Sequence, residues 1–436
     1  MKLSTLKKSK VAIWGFGVEG QATATYLQNK HIDFSVLCQA SEVKDDVNCL
    51  TQKVDVSLLN QFDIVIKSPG ISAYDKRITQ ANTLFTSATA LWFANERHKN
   101  PQCKIIAITG TKGKSTTASL LAHVLQAVGK TVNLVGNIGK PLLLSHCNYD
   151  FIVMEASSFQ IYDGQIKADL AVVLNLFAEH LDWHHGEENY YHDKIKIFTN
   201  ATVKIINHQN RTLSQLLKAT ATNRTLHCYN DGTDFLLSEK KIYTKQATLI
   251  NADEIQLLGK HNLENILAVL EITTLLKIAP QNTAQALKSF VPLPHRLQKL
   301  GKIGQHYAIN DSIATTPMAT IVALQTVVLA QTTVLIGGFD RGHDWSGFVQ
   351  KLALNPPNLI IINGDNAKKL KTLFDEMAPD VAYLWAIDLH AAIKLAQEKT
   401  PVLGTILLSP GAPSFDQFNS YIERGEFFEH TLKNST

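Results

Sequence analysis

In the stretch AITGTKGKSTTASLLAHVL (107–125), Gly110 and Gly113 precede a lysine and two hydroxyls, Lys114, Ser115 and Thr116. Glycines let the backbone approach a ligand, the amine supplies positive charge, and a hydroxyl can ligate a divalent cation; together these suit the outer phosphates of a nucleotide. The apolar run 103–109 before the turn reads as a buried strand, and Leu120, Leu121, Val124, Leu125 and Val128 give the following helix an apolar face. Strand, turn and helix in that order aim free N–H groups and the positive end of a helix dipole at one point. The spacing is shorter than the standard phosphate-loop pattern, because Ile108 stands where its first glycine would be. The plain alternative is a glycine turn with a surface lysine, and the three polar residues that follow the turn weigh against it.

Glu155 ends the apolar run FIVME (151–155). A carboxylate there is costly to bury unless it meets a donor or a metal, and a magnesium ion shared with Ser115 would be such a partner. In NLFAEHLDWHHGEENYYHDKIKIF (175–198), His180 and Lys194 lie fourteen positions apart. Taken alone, they read as a surface imidazole and a solvated helix charge. Further upstream, GFGVEG (15–20) is G-x-G-x-x-G between a strand and a helix, a dinucleotide signal. The acidic residue expected after the next strand is absent: FSVLCQA offers Cys38 and Gln39, which weakens NAD.

The elements that must carry these residues alternate, short apolar runs with amphipathic stretches, and so predict an α/β chain with mostly parallel sheets. At 436 residues and 45% hydrophobic composition, one core is not enough. Strands at 10–14, 34–37 and 63–67 with a helix near 20–30 make a Rossmann-like N-terminal unit, 1–96, ending in the polar linker NERHKNPQ (95–102). Strands at 103–109, 151–155, 169–176 and 203–207 and a helix at about 262–277 make a P-loop-type central unit, 97–291. The prolines of VPLPHR (291–296) form a hinge to a Rossmann-like C-terminal unit, 292–436, with strands at 332–337, 358–362 and 404–408. Net charge is +4, with 42 Lys and Arg scattered along the chain, so nucleic acid is not indicated. Cys38, Cys49, Cys103, Cys147 and Cys228 show no zinc or redox spacing. With no signal-peptide core and no apolar run of about 20 residues, a cytoplasmic chain without membrane insertion is expected.

Five motifs, GTKGKST, EASSFQ, EHLDWH…YHDKIKIF, GKHNLENILA and LPHRLQ, occur in one order over essentially the whole chain. Together they resemble the Mur ligases, the ATP-dependent amino-acid-adding enzymes of peptidoglycan synthesis. LLSPGAPSFDQFNSYIERGEFF is most similar to the glutamate-adding members. The resemblance implies that the carboxylate of UDP-N-acetylmuramoyl-L-alanine attacks the ATP γ-phosphate, and that the amine of glutamate then takes the acyl phosphate. It also implies a catalytic set of Lys114, Glu155, His180 and Lys194. Gly110, Thr111, Lys112, Gly113, Lys114, Ser115 and Thr116 would hold ATP. Ser115 and Glu155 would ligate one Mg2+, and His180 with a carbamylated Lys194 a second. Asn262, Asn265 and Arg296 would fall near the adenine and Asp311 at the ribose, although Asn262 could simply cap a helix and Arg296 could be an ordinary hinge cation. Phe16, Gly17, Val18, Glu19 and Ser68 would face the UDP diphosphate, and Asn137 and Ser157 the nucleotide sugar.

Two departures concern the acceptor. Ile313 of DSIATT (311–316) stands where D-glutamate-adding relatives have a lysine, and Arg341 of GGFDRGHDW (337–345) replaces another. Thr315, Ser414 and Tyr421 still match the remaining acceptor contacts. A planar guanidinium is not a point charge, and a displaced cation at a chiral dicarboxylate changes which enantiomer fits. The pattern resembles an L-glutamate-adding branch better, with the D-glutamate ligase as the alternative. A folylpolyglutamate synthase shares the loop and metal logic but not the SPG loop and the full N-terminal unit. Intact Lys114, Glu155, His180 and Lys194 count against an inactive nucleotide binder, which would have no need of a second metal, and a P-loop kinase is separated by one observation, since a ligase releases phosphate only when acid and amine are both present. The expectation is a monomer with small-molecule partners only, whose third unit closes over ATP.

Overall fold

Runs of four to six residues rich in Val and Ile and buried on both faces form the central strands of three sheets, as parallel strands covered by helices require. The computed structural model describes residues 1–42, 47–219, 226–245 and 247–434. They divide into two compact units, Met1–Asn251 with Leu263–Phe290, and Ala252–Asn262 with Val291–Thr436.

The first unit holds two wholly parallel sheets. One runs in the order Cys49–Leu50, Phe34–Leu37, Val11–Trp14, Ile64–Lys67, Leu84–Thr86. The other runs Leu226–Tyr229, Val203–Asn207, Leu170–Val173, Lys104–Thr109, Phe151–Glu155, Val132–Gly136. In each, the strand that comes early in the chain lies between two later ones, Val11–Trp14 in the first and Lys104–Thr109 in the second. Strand order reverses there and opens a crevice beyond the strand ends, where open α/β sheets bind ligands. A small antiparallel sheet, Leu236–Ser238, Lys241–Tyr243 and Thr248–Asn251, completes the unit. One continuous core joins strands of both parallel sheets and the helices on them, including Ile13, Leu27 and Trp92 with Ile105, Met154 and Val173.

The polar run 95–102 is packed rather than a free linker. Glu96 is buried, accepting from the Tyr26 hydroxyl at 2.9 Å and from Lys99, and Arg97 pairs with Asp169 at 3.1 Å. The strand expected over 169–176 stops at Val173. Beyond it the backbone turns to brace the phosphate loop, the carbonyl of Asn175 accepting from Thr111 N–H at 3.0 Å.

The second unit has one sheet, ordered Gln298–Ile303, His306–Asn310, Thr405–Leu408, Thr332–Ile336, Leu359–Ile362, Tyr383–Trp385, and only its first pair is antiparallel. Helices cover both faces, Ser346–Leu354 and Ala367–Met377 contributing to one core and Leu389–Lys399 with Tyr421–Asn434 to the other. Among the described residues no helix is long and apolar enough to cross a membrane.

Candidate active site

The turn between strand Lys104–Thr109 and helix Lys114–Ala127 is held open by side chains from elsewhere. Asn175 accepts from Lys112 N–H at 2.9 Å, and the Thr111 hydroxyl lies 2.8 Å from the Tyr190 hydroxyl and 3.1 Å from the Phe177 carbonyl. Gly113, at φ +85°, precedes the helix; a Cβ there would fall 2.5 Å from Asn265 Oδ1, so only glycine fits. Asn265 thus reaches the phosphate loop from a helix, Lys260–Leu275, far along the chain. Thr116 is buried, Ser115 partly so, and Lys112 is exposed with its amine 2.5 Å from Glu179.

Two amines converge on one carbonyl. Lys114 Nζ donates to Gly110 O at 2.9 Å and to Thr111 O at 3.0 Å, while Lys194 Nζ donates to Gly110 O at 3.2 Å. Lys194 is only 2% exposed and has no ion-pair partner among the described residues. Burial, and then the charge of Lys114, hold its amine well below the ordinary lysine range. The solvated helix charge that the sequence alone would give is therefore not what the fold makes of it.

Glu155 ends the strand beside Lys104–Thr109, in register with Ile108. Its side chain is 1% exposed; Oε1 accepts from Asn137 at 3.3 Å and Oε2 has no partner. An open carboxylate oxygen taken out of water is costly, and a cation at that atom would relieve it. The donors fit magnesium, since a carboxylate and a hydroxyl are hard oxygen ligands. No three His, Cys, Asp or Glu side chains gather as a metal-binding group among the described residues, so further donors must come from other groups. His180, half-exposed and at φ +57°, packs edge-on against Phe159 at 5.1 Å. Partial desolvation lowers its pKa, Glu179 opposes this, and Lys114 and Lys194 add to the lowering. Lys114, Glu155, His180 and Lys194 are thus brought into one electrostatic neighbourhood.

In the N-terminal sheet, Ser68 Oγ donates to Gly15 O at 2.9 Å, tying the two loops at the strand ends. A Cβ at Gly20 would meet that same carbonyl at 2.1 Å, so the third glycine of the motif allows the helix to sit against the turn. Gly17 precedes helix Val18–Asn29, where Val18 is exposed, whereas the Phe16 side chain is buried in the core and its carbonyl accepts from Gln21 at 3.0 Å. Glu19 accepts from Gln160 at 2.7 Å, and burial raises its pKa against the pull of that bond. Ser157 caps helix Ser158–Gly164 in a reciprocal box with Gln160. The sequence reading missed Gln160, although S-x-x-Q is the signal of such a box.

In the second unit, Asp311 is buried, its two oxygens accepting from Leu297 N–H at 3.1 Å and Ser409 Oγ at 2.8 Å. Burial pushes its carboxyl up to about 7. Arg296 carries a buried Nε without a partner, and Asn262 donates to Leu258 O at 2.7 Å, two residues inside the helix rather than as its cap. Thr315 is partly buried just before helix Pro317–Leu324, and Ser414 is buried. Tyr421 opens the last helix with its ring 6.3 Å from that of His295. Arg341 is exposed, its guanidinium 5.7 Å over the Phe415 ring. No motif points to Arg424, a buried guanidinium that donates to Ser312 Oγ and O and to Ala412 O and so joins the 311–316 and 409–414 loops.

Residues 108–273 match the Mur ligase middle domain and residues 9–87 the Mur ligase MurD-like N-terminal domain. The UDP-N-acetylmuramoyl-L-alanine–L-glutamate ligase of Xanthomonas euvesicatoria pv. vesicatoria (strain 85-10) is 36% identical over 98% of this chain and 96% of that protein. A UDP-N-acetylmuramoylalanine–D-glutamate ligase of Natranaerobius thermophilus is 29% identical over 97% of each chain. Among solved structures, the UDP-N-acetylmuramate-alanine ligase MurC of Thermotoga maritima superposes with a TM-score of 0.62 at 18% identity, covering 98% of this chain and 100% of that one. MurF of Acinetobacter baumannii gives 0.63 at 17%, covering 97% and 90%. These two establish the fold, and the near-full-length identity to the curated relatives goes further: the chain belongs to the Mur ligase family.

Proposed function

We propose that the protein is an ATP-dependent ligase that adds glutamate, in its L form, to UDP-N-acetylmuramoyl-L-alanine through an acyl phosphate in peptidoglycan precursor synthesis. The observation that carries this is the pair of amines on Gly110 O, with the Glu155 carboxylate, whose Oε2 has no partner, acting electrostatically on Lys194. A kinase loop needs one cation for phosphate, whereas a second, buried amine whose charged form is disfavoured by burial and by Lys114 has another use. The Lys194 amine can bond to carbon dioxide, releasing one proton to solvent, and become a carbamate with anionic oxygens. Ser115 and Glu155 would hold one magnesium ion, and His180 with carbamylated Lys194 a second. Bound there, magnesium would neutralise the charge of the transferring phosphoryl group.

Lys114 and the loop N–H groups would orient the β- and γ-phosphates of ATP, with Thr111, Lys112 and Thr116 completing the seat. The substrate carboxylate attacks the γ-phosphorus, ADP leaves, and the acyl carbon becomes open to an amine. Glutamate nitrogen then attacks that carbon, inorganic phosphate departs, and the nitrogen loses a proton. Residues 1–96 would carry the UDP end through Gly17, Glu19 and Ser68, residues 97–291 the ATP, and residues 292–436 the acceptor. Asn262, Asn265 and Arg296 would contact the adenine and Asp311 the ribose. Thr315, Arg341, Ser414 and Tyr421 would surround glutamate. We assign it to the cytoplasm as a monomer.

The L reading is supported by Ile313 and Arg341 and by relatives named for L-glutamate at 36% identity, against 29% for one named for D-glutamate. The test supplies ATP, Mg2+ and UDP-N-acetylmuramoyl-L-alanine with each enantiomer separately and follows phosphate and product mass. Faster ligation of L-glutamate is expected. Faster ligation of D-glutamate would make the protein an ordinary MurD, and no ADP with either would overturn the ligase assignment.

A further inference from the structure

Asp193, adjacent to Lys194, is 1% exposed and fully engaged. Its Oδ2 accepts from the Tyr74 hydroxyl at 3.0 Å and lies 2.7 Å from His184 Nδ1, and its Oδ1 accepts from Lys196 at 2.8 Å. The other ring nitrogen of His184 lies 2.9 Å from Ser158 Oγ. Serine, histidine and aspartate in this chain of contacts have the arrangement of an acyl-transfer triad. They are not one: His184 is 0% and Ser158 3% exposed, so no substrate can reach the hydroxyl.

The cluster instead fastens three elements together. Tyr74 belongs to the segment that follows strand Ile64–Lys67 and begins with Ser68. His184 ends the short helix Leu181–His184 just before helix Glu187–Ile195, which carries both Asp193 and Lys194. Ser158 opens the helix that follows Glu155. Two further bonds pin the same segment: Trp183 Nε1 donates to Pro69 O at 3.0 Å, and Ser72 Oγ donates to Trp183 O. Buried Lys67 pairs with Asp163 on the Ser158–Gly164 helix. Successive side chains on a helix point about 100° apart. Holding Asp193 on one side therefore aims Lys194 at Gly110 on the other, where its long stem would otherwise sample many rotamers.

We propose that Asp193, secured by Tyr74 and His184, is a positioning residue that holds Lys194 where its amine can take up carbon dioxide and serve as a metal ligand. This rests on the carbamate reading of Lys194. Groups bonded directly to a metal ligand change affinity by about 10–100-fold when removed, and Asp193, which acts on Lys194 through the helix they share, belongs at the lower end of that range.

The test compares wild-type protein with Asp193→Asn, Tyr74→Phe and Lys194→Ala, each as the full chain with ADP. Carbamate is followed by 13C NMR in labelled bicarbonate, bound Mn2+ by electron paramagnetic resonance, and folding by circular dichroism. Asp193→Asn should need roughly tenfold more bicarbonate for half-maximal carbamate, bind the Lys194-dependent Mn2+ correspondingly more weakly, and regain ligation as bicarbonate is raised. Tyr74→Phe, which removes one oxygen and keeps the ring, should shift the same midpoint in the same direction by less, and serves if the first variant does not fold. Carbamate in the wild type with an unchanged midpoint in both folded variants, or lost ligation that bicarbonate does not restore, overturns this proposal alone. No carbamate in the wild type, with Lys194→Ala binding Mn2+ as the wild type does, overturns the reading of Lys194 as well.

Discussion

Glu155→Gln separates a metal-ligating carboxylate from a structural one, because the two roles give opposite signs. The substitution keeps shape and keeps an oxygen for the Asn137 bond, while removing a charge whose Oε2 is buried without a partner. Leaving a buried polar group unsatisfied costs about 1–3 kcal/mol on mutational scales, and the amide is the less costly group to bury. Without ligands, the variant should therefore be more stable by about 1–3 kcal/mol, or some 2–4 °C in Tm for each kcal/mol in a domain of this size. With ligands the order reverses. A nucleotide at about 100 times its Kd stabilises a protein by roughly 2.7 kcal/mol, and the magnesium-dependent part of that gain should be missing in the variant. Ligation should fall by about 100-fold or more. The assay is a set of thermal melts with and without ADP and Mg2+, beside steady-state turnover. A variant that is less stable than wild type yet retains its activity and Mg2+ response would refute the reasoning.

Lys194→Ala should lose ligation by about 100-fold and regain part of it with formate or acetate, short carboxylates that replace the carbamate oxygens; failure of rescue in a folded variant counts against the carbamate. Gly113→Ala combines a left-handed φ of +85° with a Cβ 2.5 Å from Asn265 Oδ1. It should raise the KM for ATP roughly tenfold with strain of about 1–3 kcal/mol, and an unchanged KM would show that the loop has room. Asp311, raised to about 7 by burial, gives a pH test. A carboxyl with a folded pKa above its unfolded value of about 4 favours folding most in acid, and that contribution fades as pH rises from about 4 to about 7. Melts of wild type and Asp311→Asn should therefore shift in favour of the variant between pH 5 and pH 8, and a constant gap would contradict the assignment.

The parts of the fold legible in the sequence were those where burial acts on both faces of a strand. Runs such as FIVME and VKIIN have no polar alternation to obscure them, and they form strands Phe151–Glu155 and Val203–Asn207 at the residues expected. Leu236–Ser238 and Lys241–Tyr243 were not read, being three residues long and half exposed, with too few positions to show a period. At the site, the phosphate loop could be read because its conformation is local: glycine, lysine and hydroxyl act within one turn. Lys194 could not be read from the residues alone. Its burial comes from Tyr190 on its own helix and from a loop 84 positions away. Asn265 against Gly113, and Asp193 between Tyr74 and His184, are likewise products of tertiary packing, and spacing along the chain carries no trace of them.

Lys194 shows why one feature can be harmful by one standard and useful by another. An ammonium at that place would be a buried charge with no ion-pair partner among the described residues, beside Lys114 and sharing its carbonyl acceptor, and the pull of Glu179 and Glu155 is outweighed by burial and by Lys114. Both effects favour the neutral amine, and only the neutral amine can bond to carbon dioxide. The same argument orders two substitutions. Lys194→Met keeps the length and the neutral interior, so the protein should melt within a degree or two of wild type while ligation is lost. Lys194→Arg keeps the nominal charge class but cannot be deprotonated, and it places a permanent cation in the pocket. An uncompensated buried charge costs about 3–5 kcal/mol, so the arginine variant should melt well below the methionine variant and also be inactive. If instead arginine is tolerated and methionine destabilises, Lys194 acts as a cation, and the second metal site has to be sought elsewhere.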